Sequence, residues 1–147
     1  MFNIIAVILA ATSLEPTSQD RPDWREVDDD ADFHVALDIS SISGPPTART
    51  ARSVGVSTES DGFPGYMIID VVFDCEALTI RAESAAFFAL DGTLVEAVDG
   101  LTDTAPVSEA DGTLVAANAV CDGAIPNGQS FGSAQAYAQS IRAPAGS

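Results

Sequence analysis

The chain has 147 residues and a formal net charge of −16, and its six basic side chains are all arginines. So acidic a surface repels nucleic-acid phosphates and anionic bilayers, which argues against both as partners, and the length suits one domain. Two cysteines, Cys75 and Cys121, and a lone histidine, His34, leave few ligands for a transition metal.

The chain opens on an apolar run from Phe2 to Ala11, followed by small residues. That is the length of a signal-peptide core and well short of the roughly 20 residues that span a bilayer. Leu9-Ala10-Ala11 and Ala11-Thr12-Ser13 are both cleavage candidates, and a buried N-terminal strand or helix is the alternative. No cysteine follows the run to accept a lipid anchor. The expected organisation is a signal peptide over 1–13, a flexible polar lead-in over 14–23, one domain over 24–142 and a disordered tail over 143–147. The mature protein would then be periplasmic or secreted, without stable membrane insertion.

Structured sequence begins at Trp24. After an acidic turn at Asp28, Asp29, Asp30 and Asp32, the pattern alternates. Phe33, Val35, Leu37 and Ile39 share one face, with His34, Ala36 and Asp38 on the other, which predicts a half-buried strand. Ser40–Pro46 reads as a turn, and Thr50–Ser57 as a weaker strand with Val54 and Val56 inward. Tyr66–Cys75 is the strongest strand. Met67, Ile69, Val71, Phe73 and Cys75 line one side, and Tyr66, Ile68 and Val72 make the other mostly apolar, as in a strand covered on both faces. Leu78–Leu90 predicts one or two strands, Asp91-Gly92 a two-residue hairpin, and Thr93–Val98 the returning strand.

The C-terminal third is different in character. Ser108 and Asp111 resemble a capping box ahead of an Ala-rich run, in which Leu114, Val115, Ala117 and Cys121 can share a helix face. A strand is the alternative there, because Asp111–Val115 repeats the five residues Asp91–Val95. Ser133–Arg142 predicts a helix capped by Ser133, with Ala134, Tyr137 and Ile141 on one side.

Candidate chemistry is sparse. Gly128-Gln129-Ser130-Phe131-Gly132 has the G-x-S-x-G form of a hydrolase elbow. The residues before it include Pro126 and do not read as a strand, and His34 lies upstream of the serine rather than downstream. The aspartates at 28–32 offer hard oxygen ligands for calcium but lack the spacing and turn glycine of an EF-hand loop. Cys75 and Cys121 form no C-x-x-C motif, so in an oxidising compartment they predict a structural disulfide, with free or intermolecular thiols as the alternative. No catalytic residue, metal or cofactor is assigned.

The ordered landmarks also form a set: Trp24-x-x-Val27, Leu37-Asp38 with Ser40-Ser41-Ile42, Phe73-Asp74-Cys75, Ile80-Arg81, Asp91–Val95, Pro106-Val107-x-x-Ala110-Asp111 and then Cys121. Over Trp24–Cys121 this arrangement resembles the surface-adhesin protein E family of small exported bacterial proteins. The resemblance implies an α+β fold: an antiparallel sheet of about six strands, the C-terminal helix packed on one face, and a disulfide joining helix to sheet. It also implies binding, to a protein partner, rather than catalysis. This chain departs from that family in having no lysine, no anchor cysteine and a strongly negative charge. The leading expectation is an exported, non-enzymatic binding or envelope-associated domain. The alternatives are a periplasmic small-ligand carrier and a small hydrolase using acidic residues.

Overall fold

The computed structural model describes residues 21–30, 32–58, 65–108 and 113–142. The leader, the lead-in before Arg21, the turn residues Asp61, Gly62 and Pro64, the capping residue Asp111 and the tail lie outside the described residues. Strands β1 (Trp24–Asp29), β2 (Phe33–Ser43), β3 (Arg49–Ser57), β4 (Gly65–Asp74), β5 (Thr79–Ala89) and β6 (Leu94–Asp99) pair in chain order as an antiparallel meander. Two short strands complete an open sheet of eight: β7 (Thr104–Pro106) pairs with β5 beside β6, and β8 (Ser130–Phe131) pairs with β1 at the far edge. Helix α1 spans Thr113–Asp122 and helix α2 spans Ala134–Arg142.

The protein is therefore mostly β, with eight strands where about six were expected, and the helices do not share a face. The alternation of β2 decides this, since successive side chains in a strand point to opposite sides. Leu37 packs with Val71, Phe73, Ala117 and Val120 under α1, while its neighbour Ala36 packs with Val54, Val56, Tyr137 and Ala138 under α2. Strand β4 behaves likewise, with Ile69, Val71 and Phe73 toward α1 and Tyr66 and Ile68 toward α2. The two-faced apolar pattern of β4 is thus met by a helix on each side, and β2, read as half-buried, is covered on both. Leu37, Phe73 and Val120 are almost wholly buried, each contributing about 1.5–3 kcal/mol relative to exposure.

Local chemistry explains several boundaries. The Ser133 hydroxyl accepts the Ala136 N–H at 3.0 Å, the N-cap expected of α2. The β5–β6 connection has four residues, Leu90, Asp91, Gly92 and Thr93, rather than two. The Gly92 N–H donates to Ala89 O and the Ala89 N–H to Thr93 O, with Gly92 at φ +94°. This is a turn closed by a left-handed residue, where glycine meets no steric penalty. Strand β2 runs on to Ser43, past the turn predicted from Ser40, with a register shift between Asp38 and Ser43. Across the sheet the Phe33 ring lies over Gly55, where a Cβ would sit 2.7 Å from it.

Helix α1 replaces the strand alternative for the second Asp-Gly-Thr-Leu-Val copy, but its inward face differs from the expected one. Ala116, Ala117, Ala119 and Val120 are buried, while Val115 points to solvent. Alanines let the helix lie close against the sheet, a rotation that larger side chains at these positions would oppose. Two ties hold its C-terminal end: the disulfide Cys75–Cys121, and Arg49, whose Nε donates to the Val120 carbonyl at 2.9 Å. Among the described residues no helix is long and apolar enough to cross a membrane.

Candidate functional site

The α1 face is only partly covered by its helix. Beyond Thr113 and Ala116, in the helix's first half, lies a cavity of about 300 Å³ floored by Leu37, Ile69, Val71 and Phe73. Its volume comes from small residues set among large ones. Ser53, Ala82, Ala105 and Ala116 line it, and none reaches far enough to fill the space. The rim is acidic. A register shift in β1 between Glu26 and Asp28 lets Val27 and Asp28 both face the cavity, with Asp28 opposite Val35. Asp103, between β6 and β7, stands on the other bank. No lining residue is basic, and among the described residues neither aspartate has an ion-pair partner. A concave apolar floor with a few polar groups at its margin is the usual construction of a small-ligand site, and 300 Å³ is the small end of that range.

The opposite face holds a closed polar cluster. The Tyr137 hydroxyl donates to Glu26 Oε2 at 2.7 Å, and His34 Nδ1 lies 3.0 Å from the same oxygen. Burial raises the Tyr137 phenol far above its ordinary range, and the Glu26 carboxylate beside it pushes it further the same way. Tyr137 is almost fully buried, with Phe131 edge-on to its ring. The cluster fastens α2 to β1 and β2. His34 is partly buried within it.

Farther along this face, a ladder of Arg52, Asp70 and Ser84 crosses β3, β4 and β5. Both Asp70 oxygens are occupied, one by Arg52 at 3.3 Å and the other by the Ser84 hydroxyl at 2.9 Å.

The other candidates from the sequence are dispersed. Ser130 sits in β8 opposite Arg25, and its hydroxyl donates to Asp23 Oδ1. Hydrogen bonds from Arg25 and then Ser130 hold the Asp23 carboxyl below its ordinary range. Ser130 is in register with Arg25 and Leu37, on the α1 side, whereas His34 points to the α2 side, so the two form no nucleophile–base pair. The acidic turn does not converge either: Asp28 faces the cavity and Asp29 pairs with His34 on the reverse side. Cys75 and Cys121 are joined, with Cα atoms 5.6 Å apart.

Nothing in the sequence singled out the cavity. Its only local trace is the pair Val27-Asp28, and that becomes meaningful only once the register shift is known. Comparison with protein-family models, curated proteins and solved structures finds no match to this chain.

Proposed function

We propose that this chain is an exported, non-enzymatic binding domain that takes a small, mainly apolar ligand into the cavity on the α1 face. The observation that carries this reading is the cavity itself, a 300 Å³ apolar recess open at the helix margin. The adjoining staple supports the exported setting, since one disulfide holds α1 to the end of β4 beside the cavity floor. The reading joins the binding-domain expectation to the carrier alternative. Kinship with the surface-adhesin protein E family belongs to the same proposal, supported by the sequence landmarks and consistent with the antiparallel meander and the helix-to-sheet disulfide. A nucleophile elbow at Ser130 loses support because Ser130 and His34 serve opposite faces.

Titration of the isotope-labelled protein with 1-octanol tests the proposal. Saturable amide shifts are expected at Val35, Ile69, Val71 and Ala82, and not at Val54 or Val56 on the reverse face. Ala82→Leu should fill the recess and weaken binding about tenfold, the scale of roughly 1.4 kcal/mol, with the melting temperature little changed. Shifts confined to the α2 face, or none that saturate, would overturn the proposal.

A second reading has its own observation. Strand β6 ends the sheet, and Leu94 and Val95, 57% and 56% exposed, stand side by side on it. An extended segment of a protein partner could pair with that edge by strand addition.

A further inference from the structure

We infer that the cavity on the α1 face selects amphiphiles with a cationic head, an apolar chain seated on the floor and an ammonium group held at the rim. The inference rests on the proposed ligand-binding function and names the chemical class of its ligand. Three observations converge on it. The floor, formed by Leu37, Ile69, Val71 and Phe73, presents no side-chain polar group to an alkyl chain. The rim carries Asp28 and Asp103 on opposite banks, neither neutralised by an ion pair among the described residues. Three arginines of the sheet are committed elsewhere: Arg25 bonds Asp23 and the Pro126 carbonyl, Arg49 the Val120 and Gly44 carbonyls, and Arg81 Glu83.

A carboxylate beside an apolar recess is in lower-dielectric surroundings than open water, so its attraction for a cation at the rim is strengthened. The same field opposes a carboxylate head. The chain's overall charge of −16 acts in the same direction at longer range, concentrating cations near the surface. A neutral head gains only the burial of its chain.

Calorimetric titration with octylamine, 1-octanol and octanoate separates these contributions. Octylamine is expected to bind with one-to-one stoichiometry and about tenfold more tightly than 1-octanol, and octanoate more weakly than either. Asp28→Asn and Asp103→Asn should each narrow the gap between octylamine and 1-octanol, and the double variant should close it. Raising sodium chloride to about 0.5 M should also narrow the gap in the unaltered protein. Equal affinities for octylamine and 1-octanol, or a gap that survives in the double variant, would overturn the charge selectivity and leave the cavity's binding role standing. Failure of both ligands to bind would instead remove the binding role on which the selectivity rests.

Discussion

At the scale of single residues, Tyr137 is the side chain on which most depends. It is buried under α2, and its hydroxyl reaches a carboxylate on β1 more than a hundred positions away in the chain. A hydrogen bond to a charged acceptor is worth about 1.5–3 kcal/mol, so Tyr137→Phe should lower urea-measured stability at pH 7 by that amount without altering the fold. The pH dependence has a definite sign. Burial and Glu26 raise the folded-state phenol, whereas the unfolded chain ionises near the ordinary value of 10.0. The stabilisation is complete below about pH 10, and it declines as pH rises further because the unfolded state then holds fewer protons than the folded one. Tyr137→Phe should therefore flatten the fall in stability above about pH 10, leaving the smaller contribution of Tyr66, whose phenol is raised by its own burial. An unchanged alkaline slope would show that the hydroxyl does not make this bond in solution. The sequence gives no hint of the Glu26–Tyr137 contact, because neither residue carries a pattern that names the other. The Ser133 cap was legible, since donor and acceptor are three residues apart and any such serine before a helix can make the bond.

Among the elements, sequence pattern marks where a strand or helix lies more plainly than how the elements assemble. The alternation of β2 and β4 and the Asp91-Gly92 turn follow from periodicity and backbone preference within a few residues. Strand β8 has two residues and exists only because β1 offers it an edge, so no periodicity could reveal it. That each helix takes its own face of the sheet was implicit in the doubly apolar β4, but which helix covers which face depends on packing across the whole chain. The cavity arises in the same way, where an alanine-lined helix meets small residues of β5 and β7. What fastens α1 above it is covalent. Linking Cys75 to Cys121, 46 positions apart, removes unfolded-state freedom worth about 4 kcal/mol, a large part of the roughly 5–15 kcal/mol margin typical of a domain. Cys75→Ser should lower the melting temperature sharply in oxidising buffer and release one thiol, that of Cys121, to a thiol reagent. The unaltered protein in reductant should melt near the variant's temperature. Identical melting of variant and oxidised protein would mean that α1 is held by packing and Arg49 alone.

For the molecule as a whole, the imbalance of charge is what the fold leaves least compensated. Five of the six arginines, Arg25, Arg49, Arg52, Arg81 and Arg142, already bond to groups of their own chain, three of them to backbone carbonyls. A cation spent on a carbonyl fixes the fold but cancels no carboxylate at the surface, so the acidic groups repel one another across a small body. That repulsion raises the free energy of the compact state more than that of the expanded chain. Salt should relieve it. The screening length shortens from about 30 Å at 0.01 M to about 3 Å at 1 M, so the melting temperature should climb by several degrees over that range of sodium chloride and level off near the top. Urea and guanidinium chloride should also disagree. At low concentration guanidinium screens as well as denatures, and its unfolding curve should begin with a rise or a plateau that urea lacks. The ligand proposed for the cavity responds to salt with the opposite sign, because the field that strains the fold is the field that holds an ammonium group at Asp28 or Asp103. One salt series read by melting and by octylamine titration should therefore show stability rising while affinity falls, and a parallel rise of both would break the link between surface charge and ligand selection.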